Sequence, residues 1–305
     1  MSSEFTDPIL PRTHYVGLLT ESRRWQHYRP RAGDVVVSTP PKSGTTWTQG
    51  ILFLLMSGDP SVKAEPSRNA PWFDNKLNDL DDVLAGFEAQ TTRRHVKTHT
   101  PLDGIPIWEE LRYITVYRHP IDVHFSARKH VANYRPDYAE DMGVDRSLYP
   151  DDPRESFRIF CELAWEEHGA LRSVVNHYLQ CLQMEPRENL LRLHYADMTR
   201  DLAGKMARVA DHIGVAHPPE VMQDLVKAAT FGNMKANADR FALAAGQEFW
   251  RSDAGFFDSA TSNKWEGVLT RDDLAFYDQV ISGLLDPDAR RWLEWGAAPP
   301  AGGSA

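Results

Sequence analysis

The sequence predicts an α/β fold: a single domain in which helices flank a central parallel β-sheet. Short runs of β-branched and apolar residues alternate with longer helical segments, and strands separated by helices form parallel sheets covered on both faces. In addition, no internal repeat and no linker rich in Pro, Gly and Ser divides the 305 residues into comparable halves. We therefore expect one domain over residues 1–296 and a disordered tail over 297–305.

The strands and helices are expected in the following order. A β-branched run at 34–38 ends at Pro40 and Pro41 and leads into a helix from about Thr45. Further strands are expected at 94–98, 112–117 and 190–193, and Pro120 opens a helix after the third strand. The remaining helices are expected at 154–182, 201–214, 219–229 and 271–284, with an irregular, aromatic-rich lid or loop at 235–264.

Composition excludes several classes of protein. Hydrophobic residues make up 42% and charged residues 25% of the chain, as in ordinary globular proteins. The net charge of −9 argues against a general binder of nucleic acid or anionic membrane, because such proteins carry a basic surface. No apolar run reaches the roughly 20 residues of a membrane span, and no signal peptide is visible. Two cysteines, Cys161 and Cys181, are too few for a disulfide framework, so we expect a cytoplasmic protein.

A phosphate-binding loop is predicted at 41–47 (PKSGTTW), between the first strand and its helix. Ligands bind at this end of a strand in open α/β sheets, where backbone amides and the helix dipole favour an anion. Gly44 lets the backbone approach a phosphate, Lys42 supplies charge, and hydroxyls follow at Thr45 and Thr46. The lysine precedes the glycine, so this is not the GxxxxGK[ST] loop of nucleotide triphosphatases. A plain Gly/Pro turn with a solvated lysine is the alternative.

The loop resembles the 5′-phosphosulfate loop of the cytosolic-type sulfotransferases, which use 3′-phosphoadenosine 5′-phosphosulfate (PAPS). Three further segments follow in that family's order: 97–101 (KTHTP) is similar to its KTH-x-P element, 118–126 to its RxxxDxxxS signature, and 195–198 to its YEDL element. The resemblance spans about 33–270, and the residues at 97–104 are similar to those of the actinobacterial, glycolipid-acting branch of the family. It implies a fold like that of P-loop nucleotide kinases.

The resemblance also implies roles for individual residues. His99 is expected to be the general base, because an imidazole can take a hydroxyl proton at neutral pH. Lys42 is expected to neutralise the departing 5′-phosphate and Lys97 to lie against the sulfuryl oxygens, with solvated lysines as the alternative. The residues expected to bind the donor are Lys42, Ser43, Gly44, Thr45, Thr46, Trp47, Arg118, Ser126, Tyr195 and Phe231.

Within this donor site, each group has a separate expected contact. Trp47, Tyr195 and Phe231 are expected against adenine, although a helical tryptophan can equally belong to the core. Arg118 and Ser126 are expected to bind the 3′-phosphate, and Asp122 to cap or orient a loop. The implied co-substrate is PAPS, with 3′-phosphoadenosine 5′-phosphate (PAP) as product, and no metal is expected.

One segment departs from the family. Its members carry an RKGxxGxW element that grips the 3′-phosphate, whereas this chain has Asp258, Ser259 and Ala260 at the aligned positions before Trp265. Three explanations are open: Arg251 or Lys264 replaces the lost cations, the donor binds weakly or lacks a 3′-phosphate, or the protein binds a nucleotide without turnover.

The acceptor is expected to be a small-molecule or lipid-like hydroxyl compound, not nucleic acid. Five aromatic residues are candidates for an apolar pocket or lid, with burial in the core as the alternative. They are Trp72, Phe73, Tyr134, Phe249 and Trp250. A small-molecule kinase that uses ATP is disfavoured, because no magnesium-binding carboxylate is apparent. The oligomeric state stays open.

Overall fold

The central sheet has four parallel strands in the order β2-β1-β3-β4. The computed structural model describes residues 5–141, 143–164, 169–241, 251 and 262–297. The strands are β1 (Val35–Ser38), β2 (His95–Thr98), β3 (Arg112–Tyr117) and β4 (Leu190–His194). Val36 is in register with Val96 on one side and Tyr113 on the other, so β1 is a central strand. The predicted parallel α/β sheet is confirmed.

Helices cover both faces of this sheet. In chain order they are α1 (Thr45–Ser57), α2 (Pro66–Asn69), α3 (Leu80–Glu88), α4 (Pro120–Ala132), α5 (Pro136–Asp141), α6 (Pro153–Glu162), α7 (Leu171–Met184), α8 (Tyr195–Arg200), α9 (Leu202–His212), α10 (Pro219–Ala229), α11 (Phe231–Ala236), α12 (Ala238–Phe241), α13 (Arg271–Ser282) and α14 (Pro287–Trp295). None of these helices is long and apolar enough to span a membrane.

Alternate side chains of each strand enter two separate cores. Val36 and Tyr113 belong to the core on the face covered by α6, α7, α13 and α14. Val35, Val37 and Ile114 belong to the core on the opposite face, with side chains from α1, α9 and α10. Because both faces are buried, β1 is a continuous apolar run and does not alternate with polar residues.

A buried ion pair joins the beginnings of β1 and β2. Arg94 donates to both carboxylate oxygens of Asp34, at 2.9 and 2.5 Å, and both side chains are almost fully buried. The hydroxyl of Tyr28 donates to the same carboxylate at 2.7 Å. These contacts satisfy a charge pair that would otherwise be costly to bury.

Two predicted elements differ from the structure. The segment 235–264, predicted to be irregular, contains α12. The long helical stretch expected at 154–182 is two helices, because α6 ends at Glu162 and the backbone of the next residue, Leu163, has a non-helical ψ of 146°. α7 begins after Gly169, which has a φ of +85°, and after the extended Ala170. Only glycine adopts such a left-handed backbone without strain. The tail predicted at 297–305 lies, apart from residue 297, outside the described residues.

Candidate functional site

The loop between β1 and α1 has the geometry of an anion site. Gly44 precedes α1 with a φ of +112°, and no side chain caps the helix N-terminus. A Cβ on Gly44 would lie 3.1 Å from Cδ2 of Tyr195, so only glycine fits between the loop and that ring. The hydroxyls of Thr39 and Thr45 are 2.6 Å apart and tie the end of β1 to the first turn of α1. The uncapped backbone N–H groups of this turn favour an anion.

His99 follows β2 and lies beside this loop. Its Nδ1 is 2.7 Å from the carbonyl oxygen of Thr39, which can only accept, so Nδ1 carries the proton in the neutral ring. This contact gives Nε2 the lone pair that a general base needs. The indole of Trp72 packs edge-on against the imidazole, with 4.7 Å between ring centres.

The side chain of Lys97 lies beside the same Trp72 ring. It lies on β2, where it is almost fully buried, and its Nζ is 5.0 Å from the centre of the Trp72 ring. Burial lowers the pKa of Lys97 to about 8, and the carboxylate of Asp74 partly opposes this decrease. The ammonium therefore begins to lose its proton only slightly above neutral pH.

His130 on α4 contacts Lys42 of the loop, a contact that the sequence analysis did not predict. Nδ1 of His130 is 3.0 Å from Nζ of Lys42, and its Nε2 is 3.3 Å from the hydroxyl of Tyr134. Burial, together with the charges of Lys42, Lys97 and His99, holds the pKa of His130 well below its ordinary value. The sequence offers one indication of this position: His130 lies four residues, or one helical turn, after the predicted ligand Ser126, so both are on the same face of α4.

The aromatic side chains predicted to bind adenine lie beside the loop. Trp47 and Tyr195 are both buried, with ring centres 5.3 Å apart, and the indole N–H of Trp47 donates to the carbonyl oxygen of Ala229 at 2.8 Å. Phe231, at the start of α11, is partly buried against the same core. Trp47 thus belongs to the core and also borders the site.

The predicted 3′-phosphate ligands lie at the start of α4. The guanidinium of Arg118 lies 4.3 Å from the centre of the Tyr195 ring, and its Nε is 4.0 Å from Asp122. Ser126 is buried two turns farther along the same helix. Arg118 and Gly44 thus both lie against the ring of Tyr195, and binding of a 3′-phosphate by Arg118 and Ser126 stays a prediction.

Asp122 binds the backbone at Asn263 and Lys264. Its two carboxylate oxygens accept hydrogen bonds from the backbone N–H groups of Asn263 and Lys264, each at 3.2 Å. Burial raises the pKa of Asp122, while the charges of Arg118 and Lys264 oppose this increase. Trp265 next to them packs on His119, with 4.4 Å between ring centres. Lys264 thus lies beside the Arg118–Asp122 pair.

Arg251 lies at the opposite end of α4. Its backbone N–H donates to the carbonyl oxygen of Asn133 at 2.8 Å, and its Nε to that of Tyr134 at 3.2 Å. A helix of 13 residues is about 20 Å long, so Arg251 is remote from Arg118. Asp258, Ser259 and Ala260 lie outside the described residues.

The predicted acceptor residues separate into two groups. Trp72 packs against His99, and Tyr134 contacts His130. Phe73 is instead a fully buried core residue, with its ring centre 4.8 Å from that of Trp25 and 5.1 Å from that of Tyr28. Phe249 and Trp250 lie outside the described residues. Among the residues that the structure describes, no group of His, Cys, Asp or Glu is arranged to hold a metal ion.

Comparison with known proteins decides the family. A family model described as "Sulfotransferase domain" matches residues 32–289. The chain belongs to this family. The predicted sulfotransferase resemblance is therefore confirmed, and the matched residues include every predicted site residue.

Two mycobacterial relatives of this sulfotransferase are similar over nearly their whole length. A protein of Mycobacterium bovis (strain BCG) named glycolipid sulfotransferase is 30% identical over 97% of this chain and 98% of its own. A protein of Mycobacterium tuberculosis (strain H37Ra) with the same name is also 30% identical, with the same coverage. The predicted similarity to the glycolipid-acting branch is thus confirmed.

The fold is also that of a solved sulfotransferase. The crystal structure of mouse sulfotransferase SULT7A1 complexed with PAP superimposes with a TM-score of 0.69 and covers 94% of this chain and 97% of that one. The sequences are 15% identical, so this likeness concerns the fold.

Proposed function

We propose that this sulfotransferase moves a sulfuryl group from PAPS to a hydroxyl of a lipid-like or other small-molecule acceptor, with His99 as general base. The observation that carries the proposal is the contact between Nδ1 of His99 and the Thr39 carbonyl, which holds the ring proton on Nδ1 and so gives Nε2 the basic lone pair. The names of the mycobacterial relatives support a lipid-like acceptor.

The residues of the loop fit the phosphosulfate end of the donor. The N-terminus of α1 has no side-chain cap, and Oγ of Ser43 is buried without a hydrogen-bond partner among the described residues. Buried polar atoms normally have a partner, so a ligand oxygen at the loop would complete this set. Lys42 adds a cation to the same loop.

In the proposed step, the acceptor oxygen bonds to sulfur while the bond between sulfur and the 5′-phosphate oxygen breaks, and PAP leaves. The proton of the acceptor hydroxyl goes to Nε2 of His99. Lys42 neutralises charge on the departing phosphate, and Lys97 lies against the sulfuryl oxygens. Catalysis then consists of positioning and electrostatic stabilisation by these three side chains.

For the 3′-phosphate we propose Arg118, Ser126 and Lys264. Lys264 lies close enough to influence the Asp122 carboxylate beside Arg118, whereas Arg251 is bonded to the far end of α4. This supports Lys264, of the two candidates, as the cation that replaces the family's basic pair. We also propose a cytoplasmic location, which the free, buried thiols of Cys161 and Cys181 support.

The test is sulfuryl transfer from PAPS to a panel of glycolipids and simple alcohols, followed by mass spectrometry, with EDTA present. We expect a sulfated product from the wild type and at least about a 100-fold lower turnover for His99→Ala. PAP affinity should stay within a few fold, because His99 is not assigned to donor binding. His27→Ala, which changes an exposed histidine, is the matched control.

Three outcomes would contradict parts of this proposal. Near-normal turnover of His99→Ala would remove His99 from the role of base. PAP binding without transfer to any acceptor would favour the nucleotide-binding protein without catalysis. Transfer of phosphate from ATP that requires magnesium would favour the kinase.

A further inference from the structure

Asp74 is a buried carboxylate in the segment between α2 and α3, and no role has so far been assigned to it. Its side chain is fully buried and accepts four hydrogen bonds from other side chains. Oδ2 accepts from the Trp25 indole at 3.1 Å, the Thr98 hydroxyl at 2.7 Å and the Thr100 hydroxyl at 2.5 Å. Oδ1 accepts from the indole N–H of Trp72 at 2.6 Å.

The directions of these hydrogen bonds identify Asp74 as the acceptor throughout. An indole N–H can only donate. The Thr98 hydroxyl accepts from the backbone N–H of Thr100 at 2.9 Å, so its own proton points to Asp74. Burial raises the pKa of Asp74, whereas the four donors oppose this increase by stabilising the ionised form, which accepts only.

Three of the four donors belong to the surroundings of the catalytic side chains. Thr98 and Thr100 are the two chain neighbours of His99, so their hydroxyls fix the backbone on both sides of the proposed base. The ring of Trp72 packs against His99 and lies over Lys97. Through these contacts, one carboxylate holds both catalytic residues of the segment.

We propose that Asp74 is a positioning residue of the transfer reaction: it orients His99 through Thr98, Thr100 and Trp72, and its negative charge keeps Lys97 protonated. Asp74 itself touches neither substrate nor the reacting atoms. This inference rests on the proposed function, because it assigns Asp74 to the same base and the same lysine.

The electrostatic part follows from where Lys97 lies. Among the described residues, the charged and titratable groups that act on it are Asp74, between α2 and α3, and His130 on α4, which also senses Lys42 and His99. Asp74 raises the pKa of Lys97 against the effect of burial. Loss of its charge should therefore let Lys97 lose its proton at lower pH.

The first variant is Asp74→Asn, which keeps the size of the side chain and removes its charge. We expect turnover to fall about 10- to 100-fold, as for a slightly misplaced catalytic group. The decline of kcat/KM at alkaline pH should move about half a pH unit or more toward acid. PAP affinity should stay within about threefold, because no proposed donor ligand except Lys97 is near Asp74.

Asp34→Asn is the matched control. Asp34 is also a buried carboxylate that accepts from several side chains, but it lies at the opposite end of β1 from the loop. We expect Asp34→Asn to lower the melting temperature without moving the alkaline decline. If both variants lose activity only in proportion to folded protein, with unchanged pH profiles, Asp74 is merely structural and the proposal is overturned.

Thr100→Val gives a second route if Asp74→Asn does not fold. This nearly isosteric change removes one of the four hydrogen bonds, and we expect turnover to fall about 3- to 10-fold with unchanged PAP affinity. Unchanged turnover would contradict the orienting role of this hydrogen bond.

A measurement without any substrate separates this proposal from the proposed function. The ¹⁵N chemical shifts of His99 report which ring nitrogen carries the proton. We expect the Nδ1–H form in the wild type and a mixture of both forms in Asp74→Asn. If the wild type transfers no sulfuryl group but the tautomer shifts as expected, the proposed function fails while the orienting role stands. If the tautomer does not change, the orienting role fails.

Discussion

At the scale of single residues, the contact between Lys42 and His130 controls a charge that the donor needs. Lys42 has a left-handed backbone (φ 64°), and its Nζ lies 3.0 Å from Nδ1 of His130. The low pKa of His130 keeps this ring neutral near pH 7, so it can accept a hydrogen bond from the ammonium. A donor phosphate must compete with the ring for the same cation.

His130→Phe should therefore bind PAP more tightly than the wild type. Loss of one competing hydrogen bond to a charged group corresponds to about a 5- to 10-fold gain in affinity. Isothermal titration calorimetry of both proteins measures this gain, and Lys129→Ala, at the exposed neighbouring position, is the control. Equal affinities would show that Lys42 contacts His130 and the phosphate at the same time.

At the scale of secondary-structure elements, one carboxylate links two helices of the same core. Asp273 forms a capping box with Thr270 at the start of α13. It also accepts from Nε of Arg154 at 2.6 Å and from Nη2 of Arg158 at 3.3 Å, both on α6. The hydrogen bond from Arg154 contributes most to holding the pKa of Asp273 well below its usual range. The two arginines are about half exposed, so screening weakens the ion pairs.

Asp273→Asn should lower the free energy of unfolding by about 2 kcal/mol at pH 7, through the cap and the hydrogen bonds of α6. Because the pKa is lower in the folded state, this stabilisation is complete above the unfolded pKa of about 4 and is lost as the pH falls below it. Urea unfolding at pH 7 and pH 3 tests this, with the exposed Asp272→Asn as control. If the variant and the wild type differ in free energy of unfolding by the same amount at both pH values, the stabilisation does not depend on the charge of Asp273.

At the scale of the whole molecule, the proposed donor site brings together segments that are far apart in the sequence. The loop after β1, the start of α4 and the returning segment at Asn263 all meet near Asp122 and Arg118. A ligand that binds all of them should stabilise the fold as one unit.

PAP at 100 times its Kd should stabilise the folded state by about 2.7 kcal/mol, which corresponds to roughly 5 °C in Tm for a chain of this size. Thermal unfolding without magnesium, with PAP or 5′-AMP at equal concentration, measures how much of the shift in Tm is due to the 3′-phosphate. We expect a clearly smaller shift with 5′-AMP. Equal shifts would mean that Arg118, Ser126 and Lys264 do not bind a 3′-phosphate.

The strands could be predicted from the sequence to within one residue. Runs such as Val35–Ser38 are buried on both faces, so composition alone identifies them. The end of α6 could not be predicted, because no proline lies between Glu162 and the next glycine, Gly169, which comes seven residues later. The loop after β1 could be predicted, because Pro40, Pro41 and Gly44 directly follow the strand, whereas the role of His99 stays a prediction.

Asp74 and His130 could not be predicted as parts of the site, because their contacts arise only in the folded chain. The burial of Asp74 depends on the position of Trp25, about fifty residues earlier in the sequence. The approach of His130 to Lys42 depends on how α4 packs over the loop. Both contacts join residues that are far apart in the sequence, 49 positions for Trp25 and Asp74 and 88 for Lys42 and His130.

The order of the strands also has a consequence for how the protein is made. β1 is synthesised first, yet it lies in the middle of the sheet between β2 and β3, and β4 pairs last, at the edge. During translation, the apolar Val35–Ser38 segment therefore has no strand partner until β2 has left the ribosome. Contacts between such distant residues slow folding and leave apolar surface exposed. Before Thr98 is added, packing of α1 onto Val35 and Val37 is a native contact that can cover this segment.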